Sequence, residues 1–414
     1  MQVSLPAHRV ADTIARSSYG KLIAFLAART GNIAAAEDAL SDAFAAALSD
    51  WPVNGCPDNP EAWLLAVARR KAIDVARRQN TSESAIADLL VLSDTLNSPA
   101  MTEMEIPDQR LALMFACAHP AIDSSLHAPL MLQTVMGFDA ARIASAFLVS
   151  PATMGKRLVR AKQKIKSAGV PFRIPALDEL NDRLESVLDA IYVAYSNGWS
   201  DPTGTDAVRT DMGHEALFLG SLMVELAFDE PEALGLFSLM LHTEARRGAR
   251  RNDEGDFVPL DQQDSSRWDA SMIEAAENLL QKASEFKSIG RYQLEAALQS
   301  AHVHRRRTGI RNWEDILHLY DALLDVMPSP VAAINRALAV AEVDGVDAAL
   351  RALPQVNDDL RLKQYQPYWT ANAVLLARAG RIGDAMHAFD IAIGLESDPA
   401  VRRFLQRSKA KLQN

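Results

Sequence analysis

The chain has 414 residues and a mass of 45.2 kDa, a length that predicts two or three domains rather than one core. Apolar residues make up 49% and charged residues 23%, as in ordinary globular chains, so neither a disordered chain nor a membrane protein fits. The net charge of −10 is uneven, because residues 1–170 carry 17 basic and 16 acidic residues whereas residues 171–414 carry 26 and 37. The first part can bind a polyanion, and the second part is poorly suited to one.

Helical spacing of apolar residues dominates the sequence, and no stretch alternates apolar and polar residues as a strand would. We therefore predict an all-α protein. The two cysteines, Cys56 and Cys117, are too few for a disulfide framework and favour a reducing, cytoplasmic location. Because the first residues lack a basic start followed by an apolar stretch, we expect neither a secretion signal nor membrane attachment.

Residues 59–79 predict a helix with Asn59 as its N-cap and Pro60 at its first position. Its apolar stripe consists of Leu64, Ala68, Ala72 and Val75, and its opposite side carries Arg70, Asp74 and Arg77, with Arg69 adjacent. Taken alone, a basic amphipathic helix of this kind is more often a solvated surface than a nucleic-acid contact. Residues 81–106, with five acidic residues, predict a linker.

Residues 138–166 predict two helices separated by a tight turn at Leu148 and Val149, with Ser150 as the second N-cap and Pro151 after it. In the second helix the inward row is Met154, Leu158, Ala161 and Ile165, and the outward row is Thr153, Arg157, Arg160 and Lys164. A helix-turn-helix whose second helix is basic predicts DNA binding, because its first residues reach base edges and its later ones reach phosphates.

The acidic remainder begins at a break marked by Gly169, Pro171 and Pro175, and residues 171–290 predict a helical connector interrupted by a polar loop or ordered turn system at 246–269. Small and apolar residues then recur with the offsets of a helical repeat of about 34 residues, at Trp369, Ala373, Leu376, Gly380, Ala385, Phe389 and Ala392. The segment resembles tetratricopeptide repeats. We expect either a packing scaffold or a concave surface for a protein or peptide partner.

Taken together, these segments resemble bacterial sigma factors of the extracytoplasmic-function (ECF) type. AAEDALSDAFAAALSDWP followed by NPEAWLLAVARRKAIDVARR is similar to their region 2, and RIASAFLVSPATMGKRLVRAKQKI is similar to their region 4. The rest resembles the tetratricopeptide-bearing extension of one subgroup. The resemblance implies five segments: a region 2 domain (1–80), an acidic linker (81–106), a region 4 domain (107–170), a connector (171–290) and a repeat domain (291–414).

The resemblance also implies roles for individual residues. The residues implied to bind the polymerase are Glu37, Asp38 and Asp42. It implies that the loop predicted at 51–59 captures a flipped base of the minus-10 element, with Asn54 as the contacting residue. It also implies that DNA around this element is contacted by Arg69, Arg70, Arg77 and Arg78. Trp63 is expected in the core. Minus-35 contacts fall on Ser150, Thr153, Lys156, Arg157, Arg160 and Lys164. The turn departs from the family pattern at Leu148, where glycine is usual, and the helix departs at Gly155, where a polar or basic residue is usual.

The leading hypothesis is therefore a sigma factor that binds core RNA polymerase at its clamp and flap regions, recognises promoter DNA and is regulated by its C-terminal extension. Alternatives are a one-component helix-turn-helix regulator with a ligand- or peptide-sensing repeat domain, and a repeat adaptor that does not bind DNA. We expect residues 1–174 to fold alone. Cys117, His119 and Asp123 are too few for a metal site, and no catalytic signature appears, so no metal, cofactor or enzymatic activity is predicted.

Overall fold

The computed structural model of the protein describes residues 7–78, 108–146, 149–173, 175, 177–199, 207–226, 229–354 and 360–413. In these ranges every regular element is a helix, apart from one antiparallel bridge between Arg251 and Phe257, which confirms the predicted all-α fold. None of the helices in these ranges is long and apolar enough to span a bilayer. The described residues divide into a front unit, up to residue 199 together with 207–219, and a back unit from residue 220 onward.

The front unit contains nine complete helices and the start of a tenth within the described ranges. They are α1 (Ala7–Ser17), α2 (Tyr19–Thr30), α3 (Ile33–Asn54), α4 (Pro60–Arg78), α5 (Arg110–Cys117), α6 (His127–Thr134), α7 (Ala140–Ala146), α8 (Pro151–Ser167), α9 (Leu177–Trp199) and α10 (Ala207–Leu226). The predicted linker at 81–106 lies outside the described residues.

The connection between α3 and α4 is shorter than the sequence predicts. Helix α3 continues to Asn54 with Pro52 in its last turn, so only residues 55–59 form the loop that was expected to span 51–59. Trp51 is 2% exposed and packs edge to face against Trp63 with ring centroids 5.4 Å apart, which holds this last turn against the core. The predicted cap at Asn59 is confirmed, since its side-chain oxygen accepts a hydrogen bond from the Ala62 backbone N–H at 3.0 Å.

The sequence prediction for α8 is confirmed in its start, its buried row and its exposed row. The Ser150 hydroxyl accepts a hydrogen bond from the Thr153 backbone N–H at 3.3 Å, so the helix is capped where expected. The four inward residues, Met154, Leu158, Ala161 and Ile165, are buried. The residues of the outward row are exposed. Part of the predicted turn, Leu148, lies outside the described residues.

The front unit does not end near residue 170, because α9 packs into it. The Arg183 guanidinium donates to the Phe115 backbone carbonyl at 3.3 Å, and the His127 ring lies 3.1 Å from the Ser186 hydroxyl. The buried face of α9 includes Val187, Leu188, Ile191 and Tyr195. The glycine and prolines at 169–175 therefore mark the end of a helix, and the apolar core continues beyond them.

The back unit is built from nine further helices within the described ranges. They are α11 (Pro231–Glu244), α12 (Ala270–Glu285), α13 (Arg291–Thr308), α14 (Trp313–Val326), α15 (Pro330–Val343), α16 (Val346–Ala352), α17 (Gln366–Arg378), α18 (Ile382–Leu395) and α19 (Pro399–Ala410). The polar segment between α11 and α12 is an ordered turn system: its Asp256 pairs with Arg403 and Arg407 of α19, and its Arg251 pairs with Asp398.

Helices α15 to α18 form two consecutive helix pairs whose short connections carry glycine in the left-handed region. Gly345 has a φ of 90° and Gly380 a φ of 74°, backbone conformations that a residue with a Cβ rarely adopts. One core cluster joins α15, α16 and α17, and the next joins α17, α18 and α19. Each helix pair thus buries its small residues by stacking on its neighbour, as the repeat pattern predicts, and the assignment to tetratricopeptide repeats stays a prediction.

Candidate polymerase and nucleic-acid interface

The three acidic residues predicted to dock on polymerase lie on one side of α3 but differ in exposure. Asp38 and Asp42, one turn apart, are exposed to solvent. The Glu37 side chain is only 19% exposed, and its Oε2 lies 2.7 Å from the Nζ of Lys162 in α8, whose side chain is 11% exposed. Two of the three carboxylates are therefore available to a basic partner, and the third is engaged within the front unit.

The residues predicted around the minus-10 element lie at the end of α3 and along α4. Asn54 is exposed, and its amide donates to the Asp50 carboxylate at 2.7 Å, which orients the side chain at the helix end. Arg70 is exposed on α4. The side chains of Arg77 and Arg78 lie outside the described part of the structure.

Arg69 differs from its predicted neighbours because it is buried, with 8% of its surface exposed. The helical period explains this placement: Leu65 and Ile73, four residues before and after it, are also buried, so Arg69 lies on the inner side of α4. In this arrangement Arg69 does not present a DNA-contacting side chain on the surface beside Arg70. A role for Arg69 at the minus-10 element stays a prediction. That role would require the inner side of α4 to become exposed.

The residues predicted at the minus-35 element are all exposed along α8. The hydroxyls of Ser150 and Thr153 lie 2.8 Å apart, and Ser150 also caps the helix, so both are already engaged locally. The four cations, Lys156, Arg157, Arg160 and Lys164, form no ion pair with a carboxylate in the described ranges. A row of exposed cations on one helix face is the arrangement that releases counterions from a phosphate backbone.

Helix α2 packs against α5 and α6, and α3 packs against α8. A Cβ built on Gly20 of α2 would lie 1.9 Å from the backbone oxygen of Val135 beyond α6, so the two backbones touch there. The ring of Tyr19 covers Gly137, whose Cβ would lie 3.4 Å from it. Burial, and then the charge of Glu37, raise the pKa of Tyr19 to about 12. Helices α2 and α3 are thus in direct contact with helices from the second half of the front unit.

Cys117, in α5, is a buried structural residue. Burial raises the pKa of its thiol to about 12, and its sulfur lies 3.5 Å from the Thr134 hydroxyl. The neighbouring polar groups are used locally, because the His119 ring accepts from the Ala121 N–H and the Asp123 carboxylate accepts from the Ser125 N–H. No group of three or more metal-ligating side chains occurs in the part of the chain that the structure describes.

Two features of the interface escape sequence reasoning. Lys162 belongs to the basic stripe, but its position next to Ala161, on the edge of the buried row, is the signal that it faces the protein. Arg110 is 5% exposed, pairs with Glu215, and lies over the Phe218 ring at 4.8 Å. No local pattern marks this contact, since its partners come from α10.

The back unit holds an apolar cavity of about 400 Å³ between α15, α17 and α19. Its lining includes Val331, Ile334, Val374 and Phe404, and none of the residues around it is charged. A protein or peptide partner of the repeat domain stays a prediction, with this cavity as its candidate position.

Comparison with known proteins finds two matching protein families and one similar protein. Residues 14–81 match the family Sigma-70 region 2, and residues 183–284 match a family of unknown function (DUF6596). An uncharacterized protein of Rhizobium meliloti (strain 1021) is 35% identical over 380 residues, which cover 91% of this chain and 89% of that protein. No solved structure matches the chain. The chain therefore belongs to the same family as this rhizobial protein, with a sigma-70 region 2 domain at residues 14–81.

Proposed function

We propose that the protein is an ECF-type sigma factor that binds core RNA polymerase, directs it to promoters and helps to melt the duplex. The observation that carries this proposal is the Sigma-70 region 2 match, because it contains both the acidic face of α3 and the basic helix α4. That match supports a sigma-factor-like role in promoter recognition and polymerase binding. A one-component regulator needs no such acidic and basic block.

In this proposal α3 supplies the polymerase contact. Asp38 and Asp42 are exposed and lie four residues apart on one helix face, a spacing at which both carboxylates reach a single basic surface on the polymerase clamp. Helices α5–α8 contact the flap. The protein acts in the cytoplasm beside the polymerase.

Helices α7 and α8 are the proposed promoter reader, arranged as a helix-turn-helix. Lys156, Arg157 and Arg160 occupy the exposed side of the first three turns of α8, where side chains reach base edges in the major groove, and Lys164 follows at phosphate distance along the helix. Asn54 and Arg70 contact the minus-10 element, together with Arg77 and Arg78 of α4. The C-terminal extension regulates the factor.

The docking assignment is tested by changing Asp38 and Asp42 together to Lys. Both side chains are exposed, so the fold should survive, while two repelling charges at the clamp should raise the Kd for core polymerase about a hundredfold, roughly 3 kcal/mol. Kd is measured by fluorescence anisotropy of the labelled full-length chain. The control is Glu274→Lys with Glu285→Lys on α12, an equal charge change at exposed positions. Equal binding by both double variants would remove polymerase docking from this face.

The reader helix is tested by changing Arg157 and Arg160 to Ala. Loss of one or two base contacts should weaken holoenzyme binding to the cognate promoter by about 1–3 kcal/mol per contact and reduce its salt dependence. The promoter is first identified by run-off transcription on genomic fragments. A duplex with a scrambled minus-35 sequence serves as control, because wild type and variant should bind it alike. A variant that retains wild-type promoter affinity and helicity would show that α8 is not the reader.

A further inference from the structure

We propose that the back unit binds a small phosphate-bearing anion at an arginine cluster, which consists of Arg246, Arg305 and Arg306. Arg246 lies just beyond the end of α11, and the other two arginines lie in the last turn of α13. The proposal concerns the back unit alone, so it goes beyond the proposed sigma-factor function and does not depend on it.

Contacts between two segments of the back unit bring the arginine cluster together. The guanidinium of Arg246, a residue that is 8% exposed, donates to the side-chain oxygen of Gln299 in α13. The Nη2 of Arg306 donates at 2.6 Å to the backbone carbonyl of Gln263, which lies in the polar segment between α11 and α12. Gln299 and Arg306 are about two turns apart on α13, so both contacts lie on one side of this helix. The cluster therefore lies where the polar segment meets α13.

His302 and Trp313 complete the site. His302 lies one turn before Arg305 and Arg306 on the same face of α13, and its ring packs edge to face against that of Trp313, with centroids 6.0 Å apart. The guanidinium carbon of Arg305 lies 4.4 Å from the centroid of the same tryptophan ring. This cation–π contact holds the guanidinium in place but does not neutralise its charge. The Arg305 side chain is therefore positioned and still positive.

The site contains buried nitrogen atoms that have no hydrogen-bond partner in the described ranges of the back unit. They are the Nε atoms of Arg305 and Arg306 and the Nδ1 atom of His302. Buried polar atoms in folded proteins almost always have a partner, so each of these nitrogens marks a position where one can bind. Arginine nitrogens can only donate, and one nitrogen of a neutral histidine donates as well. The site therefore fits a ligand that supplies several hydrogen-bond acceptors.

The charges of the site favour an anion over a neutral ligand. Burial, and then the positive charge of Arg306, lower the pKa of Arg305, and the smaller opposite effects of Asp261 and Glu342 do not restore that pKa to its usual value. The C-terminal dipole of α13 is equivalent to only about half a negative charge, so it offsets a small part of three guanidinium charges. A bound anion would relieve the repulsion between the guanidinium groups.

The donors of the site match the oxygens of a phosphate group. Burial, and then the charges of Arg305 and Arg246, lower the pKa of His302 to about 4, so its ring is neutral at pH 7 and carries one N–H. Guanidinium groups bind phosphate oxygens through paired, charge-assisted hydrogen bonds. A small ligand is favoured over a polyanion because residues 171–414 carry 26 basic and 37 acidic residues, a balance that repels a long negative chain.

Isothermal titration calorimetry of the full-length chain tests the site with inorganic phosphate, pyrophosphate and adenosine diphosphate in magnesium-free buffer. We expect one binding site per chain. Arg305→Gln together with Arg306→Gln should raise the Kd for pyrophosphate about tenfold or more, because two groups that bond the phosphate oxygens are lost. The control is Arg307→Gln together with Arg311→Gln, an equal charge change at exposed positions beside the cluster. This control should bind pyrophosphate as the wild type does.

Proton NMR of the wild-type chain locates the anion without relying on an arginine variant. The C2–H signal of the His302 ring, identified by its loss in His302→Gln, should shift when pyrophosphate is added, because a nearby anion stabilises the protonated imidazole and raises its pKa. The signal of His387, which is exposed on α18, serves as the reference and should stay in place. Pyrophosphate binding that leaves the His302 signal unchanged would put the anion elsewhere on the chain and overturn the proposal.

The remaining outcomes identify the source of the phosphate or reject the site. Tighter binding of adenosine diphosphate than of pyrophosphate indicates an organic phosphate, whereas equal or weaker binding indicates recognition of the phosphate groups alone, and both results support the site. The proposal is wrong if the wild-type chain binds none of the three anions, or if the control weakens binding as much as the cluster variant does. Duplex DNA binding that requires Arg305 and Arg306, without binding of the small anions, would make the cluster a nucleic-acid contact and would also reject the proposal. None of these measurements uses polymerase, so the sigma-factor proposal is tested separately.

Discussion

A chain that ends after residue 175 is expected not to fold its front unit, whereas a chain that ends after Leu226 is expected to fold. The shorter chain lacks α9, whose Val187, Leu188, Ile191 and Tyr195 are each 2% exposed or less. At about 1.5–3 kcal/mol for each buried large side chain, their loss removes roughly 6–12 kcal/mol. A domain is stable by only about 5–15 kcal/mol, so little or no stability would remain.

Circular dichroism during urea titration measures this difference. The chain ending after Leu226 should unfold in one cooperative transition, because it retains α9 and the α10 residues that contact Arg110. The chain ending after residue 175 should show no such transition. A cooperative transition in the shorter chain would mean that α1–α8 form an independent domain, as the sequence alone suggests.

Gly20→Ala is expected to cost about 3 kcal/mol or more of unfolding free energy, at the upper end for an overpacked core. The new methyl group would lie 1.9 Å from the Val135 backbone oxygen, and no rotamer change can move a backbone carbonyl away. The helices α2 and α6 must therefore shift apart. In urea unfolding of the full-length chain, the change is measured as a lower midpoint for the unfolding of the front unit.

Gly155→Ala on α8 is the matched control for this prediction. Its Cβ would meet only the Ala140 Cβ at 3.9 Å, an ordinary contact, and it lies within a helix. Alanine is favoured over glycine inside helices by about 1 kcal/mol, so this variant should be slightly more stable than wild type. If both substitutions changed stability equally, the contact between α2 and the end of α6 would not be a tight one.

Local features of the fold follow from sequence spacing and end signals. The start of α8 at Ser150–Pro151 and its buried row are determined by a cap and by a helical period, both of which act within a few residues. The same reasoning fails where a neighbour intervenes. Trp51 was expected in a loop, but its packing on Trp63 extends α3 by a turn that contains a proline.

In the candidate interface, too, spacing in the sequence predicts some features and packing decides others. The exposed cations of α8 are recognisable from periodicity, because charged residues opposite an apolar row face solvent. Arg69 is next to the exposed Arg70 in sequence, but only the packing of α4 decides that it is buried. Which carboxylate of α3 meets Lys162 depends on how two distant helices cross, and no spacing within either helix specifies it.

The sequence by itself determined the all-helical class, the starts of α4 and α8, the basic face of α8 and the similarity to sigma region 2. These properties arise from periodicity and capping, which depend on neighbouring residues. Only the tertiary structure decided that α9 belongs to the front unit, that Glu37 is paired, and that Gly20 is a contact point. Such contacts join residues tens to more than a hundred positions apart, and they form because burying apolar surface stabilises whichever distant faces fit together.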